Sequence, residues 1–147
     1  MKISGSFIDK IQFSSDLKLA DIEPYFVNFN NQDWEYLNSG YFISRKNELE
    51  IKLHYVYCFD IGISFRYDIT MSNVEQEKTY YSVGNFNEIN VFIDAADEYF
   101  VPKGSCIAIN VAWQVISDFF KNPLEKSTKI DWIDSDKIDW TPINNLY

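Results

Sequence analysis

The chain's one histidine, His54, has a cysteine four residues downstream, Cys58. Histidine is the usual proton shuttle near neutral pH and a thiolate is a strong nucleophile, so this pair is the first place to look for catalysis. The spacing forbids it. Both residues lie in an alternating run that reads as a β-strand, on the same face, and the rise of a strand puts their backbones about 13 Å apart. His54 is read as a partly exposed strand histidine, and Cys58 and Cys106 as reduced thiols that fill core space. Metal chemistry finds no better footing: there is no CxxC, no HExxH and no second histidine. Asp134-Ser135-Asp136-Lys137-Ile138-Asp139 spaces its acids somewhat like a calcium loop. It lacks the glycine at the sixth position, and Asn145 stands where the bidentate glutamate belongs. Gly84 and Gly104 are isolated, so no glycine-rich loop cradles a phosphate. The residues predict no enzyme, no cofactor and no metal.

What the chain has in quantity is carboxylate and aromatic ring. Its 147 residues carry 13 Lys+Arg against 22 Asp+Glu, a net charge of −9, together with 12 Phe, 10 Tyr and 4 Trp. That charge, with no basic run, excludes nucleic acid and anionic membrane surfaces as partners, because both demand cationic side chains. It also excludes single-strand base stacking, which needs a basic groove beside the rings. The acids gather in three places: Asp94, Asp97 and Glu98 ahead of Tyr99; Asp131, Asp134, Asp136 and Asp139 interleaved with Trp132 and Trp140; and Asp33-Trp34-Glu35-Tyr36. Carboxylates steer a cationic protein into place, and Trp and Tyr supply buried anchors at small entropic cost. Candidate partner-binding residues are therefore Asp33, Trp34, Glu35, Asp94, Asp97, Glu98, Asp131, Asp134, Asp136, Asp139 and Trp140. Each cluster also has a plain reading as a solvated loop with one ring pinned into the core.

These groups need elements to hold them. Leu49, Ile51, Leu53, Tyr55 and Tyr57 alternate with Glu50, Lys52, His54, Val56 and Cys58. After Phe59-Asp60, the set Ile61, Ile63, Phe65, Tyr67 and Ile69 alternates with Gly62, Ser64, Arg66 and Asp68. Two period-two runs with a short connection predict an antiparallel hairpin with one buried and one wetter face. Further strands are predicted at Ser6–Phe13, Gly40–Arg45, Thr79–Val83, Tyr99–Val101 and Ile130–Ile133. A short helix is predicted over Asp16–Ile22, started by Ser15 or Asp16 and stopped by Pro24. The main helix runs from about Ala108 to Lys121, with Val111, Ala112, Val115, Ile116, Phe119 and Phe120 at helical spacing and Pro123 beyond its end. The predicted fold is α+β, an antiparallel sheet with one long amphipathic helix packed across it, in a single domain over residues 1–147. Lys129-Ile130-Asp131-Trp132 recurs as Lys137-Ile138-Asp139-Trp140, a local echo too short for a repeat architecture. Asp9 and Lys10 interrupt the N-terminal run before a signal-peptide core forms, and no stretch approaches the roughly 18 apolar residues of a membrane span, so the expected location is the cytoplasm.

The final third carries a resemblance. Tyr99-Phe100-Val101-Pro102-Lys103-Gly104-Ser105 leads into a helix with Ala112, then Asp118-Phe119-Phe120 and Asn122-Pro123, and closes on Ile130-Asp131-Trp132. This order, over about 35 residues, resembles immunity proteins of bacterial polymorphic-toxin and contact-dependent growth inhibition systems. There a Pro-then-Gly-Ser turn opens a helix with a Phe-rich end, and a hydrophobic-x-Trp strand follows. The segment Asn122 to Ser127 stands here in place of that family's usual Thr-Gly-Glu-Arg-Pro style link. The resemblance implies a protein that binds and blocks one cognate toxin, a basic nuclease or nucleic-acid deaminase domain encoded immediately upstream. An acidic surface independently suits a basic substrate cleft. Two other readings stay open at this point: a small-ligand-binding or enzymatic α+β domain with a pocket between sheet and helix, and a nucleic-acid mimic or subunit of a larger assembly.

Overall fold

A computed structural model describes residues 2–146. In chain order the strands are β1 (Ser4–Phe7), β2 (Ile11–Ser14), β3 (Ser39–Lys46), β4 (Leu49–Cys58), β5 (Gly62–Met71), β6 (Gln76–Val83), β7 (Phe92–Ala96), β8 (Tyr99–Pro102), β9 (Cys106–Ile107) and β10 (Asp131–Asp134). The helices are α1 (Leu19–Ile22), α2 (Pro24–Val27), α3 (Ile109–Lys121) and α4 (Thr141–Asn144). The larger sheet is antiparallel with strand order β10-β6-β5-β4-β3-β1-β2, and β9 pairs with β5. β7 and β8 form a separate two-stranded hairpin.

The alternating runs form β4 and β5 as their period demands, paired from Leu49↔Met71 to Cys58↔Gly62. One face of the sheet is apolar. Phe42, Ile51, Leu53, Tyr55, Tyr57, Ile63, Phe65 and Tyr67 share a core with Ala112, Val115, Ile116 and Phe119, the buried stripe of α3. The Phe119 ring lies 6.4 Å from both Phe42 and Tyr67. At 13 residues, about 20 Å long, α3 is of ordinary helix length rather than long.

The opposite face is less wet than alternation suggests. At one end Val56 and Cys58 are covered by Val101 of β8, and Ile93 of β7 packs on the same cluster. At the other, Tyr81 and Ile133 are covered by Ile138, with Phe92 and Trp140 against them. Between these two caps the sheet face stays polar.

Three local expectations are corrected. Ser6–Phe13 is not one strand: β1 and β2 are joined by a tight turn in which Ile8 takes a left-handed φ of 39° and Lys10 N donates to Phe7 O at 3.1 Å. The helix expected over Asp16–Ile22 is the single turn α1, with Lys18 at its N-cap and no side-chain cap. Pro24 does not end the helical region but starts α2, since the first helical position needs no N–H donor. The short closing strand expected around Ile130–Ile133 is present as Asp131–Asp134. No helix among the described residues is long and apolar enough to cross a membrane.

Candidate functional site

The three acidic clusters take different structural forms. Asp94, Asp97 and Glu98 make the tip of the β7–β8 hairpin. Asp94 is its builder: Oδ1 accepts from Ala96 N at 3.1 Å and from Glu98 N at 2.9 Å. Asp97 and Glu98 are exposed, in the left-handed region at φ 44° and 71°. In the second cluster Asp131 and Asp136 are exposed, whereas Asp134 ion-pairs with Lys78 and accepts from Asp136 N at 2.9 Å. Asp139 accepts from Thr141 N at 3.0 Å at the start of α4, and the Thr141 side chain, then this backbone bond, lower the pKa of its carboxyl. Trp140 is half-buried, its ring 5.5 Å from Tyr81 and 5.0 Å from Phe92.

The third cluster splits most sharply. A 3-10 turn over Asn31–Trp34, capped by Asn30 Oδ1, rotates Trp34 fully into the core, edge-on to Phe7 and Phe26. Trp34 is a packing residue and cannot anchor a partner on the folded surface. Asp33 lies 3.8 Å from Lys10, while Glu35 and Tyr36 are left exposed.

Two of the clusters meet through a residue that sequence runs did not single out. Buried Asn38 donates from Nδ2 to Tyr57 O and to Ala95 O, both at 2.8 Å. It ties the loop bearing Glu35 and Tyr36 to the hairpin tip bearing Asp94, Asp97 and Glu98. The second cluster sits toward the other end of β7, where Trp140 packs on Phe92 and Asp139 N donates to Asn90 Oδ1 at 2.9 Å. The β7–β8 hairpin thus runs between the acidic groups, about 13 Å from Phe92 to Ala96 at the rise of a strand.

On the open sheet face His54, Arg66 and Asp68 form a half-buried ionic group. Arg66 Nη2 donates to His54 Nε2 at 2.8 Å and Arg66 Nε to Asp68 Oδ2 at 3.2 Å; the imidazole nitrogen and that carboxylate oxygen lie 3.1 Å apart. Arg66 and Asp68 make opposite demands on His54 Nε2, since a guanidinium can only donate to it and a carboxylate can only accept from it. Burial lowers the His54 pKa, Asp68 opposes, and Arg66 and Lys52 add to the lowering. Burial pushes the Asp68 carboxyl up, but the His54 contact and the Arg66 guanidinium outweigh it and hold it below its usual value. Tyr81 and Tyr99 have their hydroxyls pushed up by burial, with Arg66 acting against the shift. Every Arg66 charge partner here is internal, so the group knits β4, β5, β6 and β8 together instead of offering a free nucleophile or base.

The Pro102–Ser105 turn, which carries the family resemblance, is a buried joint. Ser105 Oγ donates to Pro102 O at 2.6 Å and accepts from Ser64 Oγ at 2.6 Å, while Ser82 Oγ donates to Ser105 O at 2.6 Å. Gly104 O accepts from Gly84 N and Asn85 N at 2.7 and 2.9 Å, an approach so close that a Cβ on either glycine would strike backbone. The joint fixes β9 and the start of α3 to the sheet.

The helix–sheet space is filled by Phe119, Phe42, Tyr55 and their neighbours. An open groove of about 660 Å³ lies beside Tyr67, Lys126 and Trp132. Lys126 Nζ lies over the rings of Tyr80 and Tyr67 at 4.1 and 5.7 Å. Among the described residues no three His, Cys, Asp or Glu side chains are placed to hold a metal ion. The Cys106 thiol is pushed up by its hydrogen bond to Cys58 and by burial, which leaves it a poor nucleophile. No family model, curated protein or solved structure matches the chain.

Proposed function

We propose that this chain is an immunity protein that binds a cognate toxin domain and neutralises it, acting in the cytoplasm, where that toxin would otherwise attack nucleic acid. The observation that carries the reading is the display of acid. Glu35, Asp60, Asp97, Glu98 and Asp136 are exposed in loops and turns, and Asp131 is exposed at the start of β10. A nuclease or deaminase toxin carries a basic cleft for its substrate, and exposed carboxylates complement it and accelerate encounter. The helix laid on the other sheet face gives these loops a rigid backing, which lowers the entropic cost of binding. The alternative reading, a ligand pocket between sheet and helix, would have to occupy volume that aromatic side chains fill.

Co-expression with the product of the open reading frame immediately upstream tests the reading. Cells are expected to survive with this chain and die without it. The two purified proteins are expected to associate 1:1, with an on-rate that falls steeply between low and physiological salt. Absence of binding, or an on-rate indifferent both to salt and to charge reversal at Asp131 and Asp136, sinks it.

A further inference from the structure

Several large apolar side chains remain on the surface, Phe13 and Phe86 among them. Four others lie on two loops that one buried tyrosine ties together. Tyr57 is the hub: its OH donates to Asn31 Oδ1 at 2.6 Å and accepts from Asp60 N at 3.3 Å, its N donates to Asn38 O at 2.8 Å, and its ring lies 4.9 Å from Phe59. These contacts bring the loop with Tyr36 and Leu37 beside the β4–β5 turn with Phe59 and Ile61. Their exposures are 87%, 42%, 42% and 44%. Exposed apolar side chains gathered on two joined loops, on a chain otherwise rich in charge, mark an interaction site.

The rim is acidic on both sides. Glu35 and Asp60 stand exposed within the same two loops, and Asn38, through Ala95 O, ties the hairpin that carries Asp97 and Glu98 to the first of them. An apolar centre ringed by polar groups is the anatomy of a protein interface, and a large, rigid tyrosine at its centre is a typical energetic anchor. The sign of the rim names the partner. A second copy of this chain would bring the same carboxylates face to face, whereas a protein surface with an apolar centre ringed by Lys and Arg would neutralise them.

We propose that this end of the sheet, centred on Tyr36, Phe59 and Ile61, is the surface on which the chain docks its basic protein partner. The inference rests on the immunity reading and adds to it the place of contact. Docking here leaves the second acidic cluster, around Asp131 and Asp136, as a steering field outside the contact.

The test uses the full-length chain and the upstream gene product, with affinity and both rate constants measured for two double variants. Tyr36→Ala with Ile61→Ser cuts the proposed centre; Phe13→Ala with Phe86→Ala removes equally exposed rings elsewhere. All four positions are on the surface, so both variants are expected to keep wild-type unfolding midpoints. The first is expected to weaken binding at least about tenfold, mostly through faster dissociation, and the second by less than about threefold. Glu35→Lys is expected to slow association without speeding dissociation. Equal, small effects of the two double variants on a tight complex overturn this inference and leave the immunity reading intact. Loss of monomeric behaviour in wild type that Tyr36→Ala with Ile61→Ser restores assigns the patch to self-association and overturns it as well. If the upstream product does not bind wild type at all, the immunity reading falls and this inference falls with it.

Discussion

Trp132 and Trp140 make the same hydrogen bond eight residues apart: each indole Nε1 donates at 2.9 Å to the carbonyl five residues upstream, Ser127 O in one case and Ser135 O in the other. The echo seen in the sequence is therefore a repeated hydrogen bond within Ser-x-Lys-Ile-Asp-Trp, although the first copy runs into β10 and the second forms a 3-10 turn over Ser135–Lys137. The copies are pegged to different places. Trp132 packs against Tyr67 in the main core, and Trp140 against Tyr81 and Phe92 in the small core under the hairpin. The two indoles thus pin two different points of the segment that follows α3.

If the indole bond is what shapes each loop, Trp132→Phe and Trp140→Phe should each cost about 1 kcal/mol, the net worth of one hydrogen bond, with the ring's packing largely kept. Trp132→Ala should cost more, about 3–5 kcal/mol, because it also empties core volume. Urea unfolding of the three variants reads this directly. A Phe variant as damaging as the Ala variant would show that the bond has little to do with it.

His54 gives the chain an acid-sensitive stability. Burial above all, with Arg66 2.8 Å from Nε2, makes the imidazole harder to protonate folded than unfolded. A histidine with a depressed folded pKa draws protons to the unfolded state. The stability it contributes is whole above its unfolded pKa of about 6.5 and is lost as pH falls below that value toward the folded pKa. Asp68, held below its usual range, keeps its own contribution until far more acidic conditions. Because His54 is the only histidine, its ring protons titrate without overlap in NMR and should report a pKa below about 6.5. His54→Gln should flatten the loss of stability between pH 7 and 5. Titration at or above the free value would contradict this account.

Some of this was readable in the chain and some was not, for definite reasons. Alternation put His54, Arg66 and Asp68 on one face, and a hairpin turning about Asp60 necessarily sets His54 opposite Arg66. The ionic group was thus implicit in the register, but it lies across two strands and is invisible to a search for runs. Acid–aromatic runs were a poorer guide. Trp34 sits between two acids yet points inward, because the turn at Asn31–Trp34 rotates it there. Asp94 and Asp139 serve as turn and helix-start acceptors. β7 went unseen because Phe92-Ile93-Asp94-Ala95-Ala96 is short and scarcely alternates, and without β7 nothing joins the hairpin tip to the loop of Tyr36. Ile61 looked like the first member of a buried set, but it falls in the turn, and its exposure makes it part of the apolar patch.

Ser105 is fully buried and holds three hydrogen bonds through its hydroxyl and carbonyl. Ser105→Ala leaves the Ser64 hydroxyl and the Pro102 carbonyl without their partner in a dry joint, at an expected cost of about 1–3 kcal/mol. The double variant Ser64→Ala with Ser105→Ala should be milder than the sum of the single changes, since each single change strands a group that the double one removes. Additive losses in chemical denaturation would deny the coupling.

The hairpin tip separates the two uses of an acidic residue. Asp94 holds the turn with carboxylate oxygens that accept from Ala96 N and Glu98 N, a task an asparagine carbonyl also performs. Asp94→Asn should therefore leave the unfolding midpoint near wild type while Asp94→Ala lowers it, and neither difference should vanish at high salt. Glu98 is the opposite case. It occupies a left-handed φ of 71° that glycine adopts freely, and nothing in the turn requires its carboxylate. Glu98→Gly should stabilise the chain by about 1 kcal/mol through relief of backbone strain. The same change should slow association with a basic partner, because it removes a charge from the rim of the apolar patch. A Glu98→Gly variant that is more stable and binds just as fast would place the partner away from this end of the sheet. One that is less stable would mean that the side chain, not the encounter, explains its place in the turn.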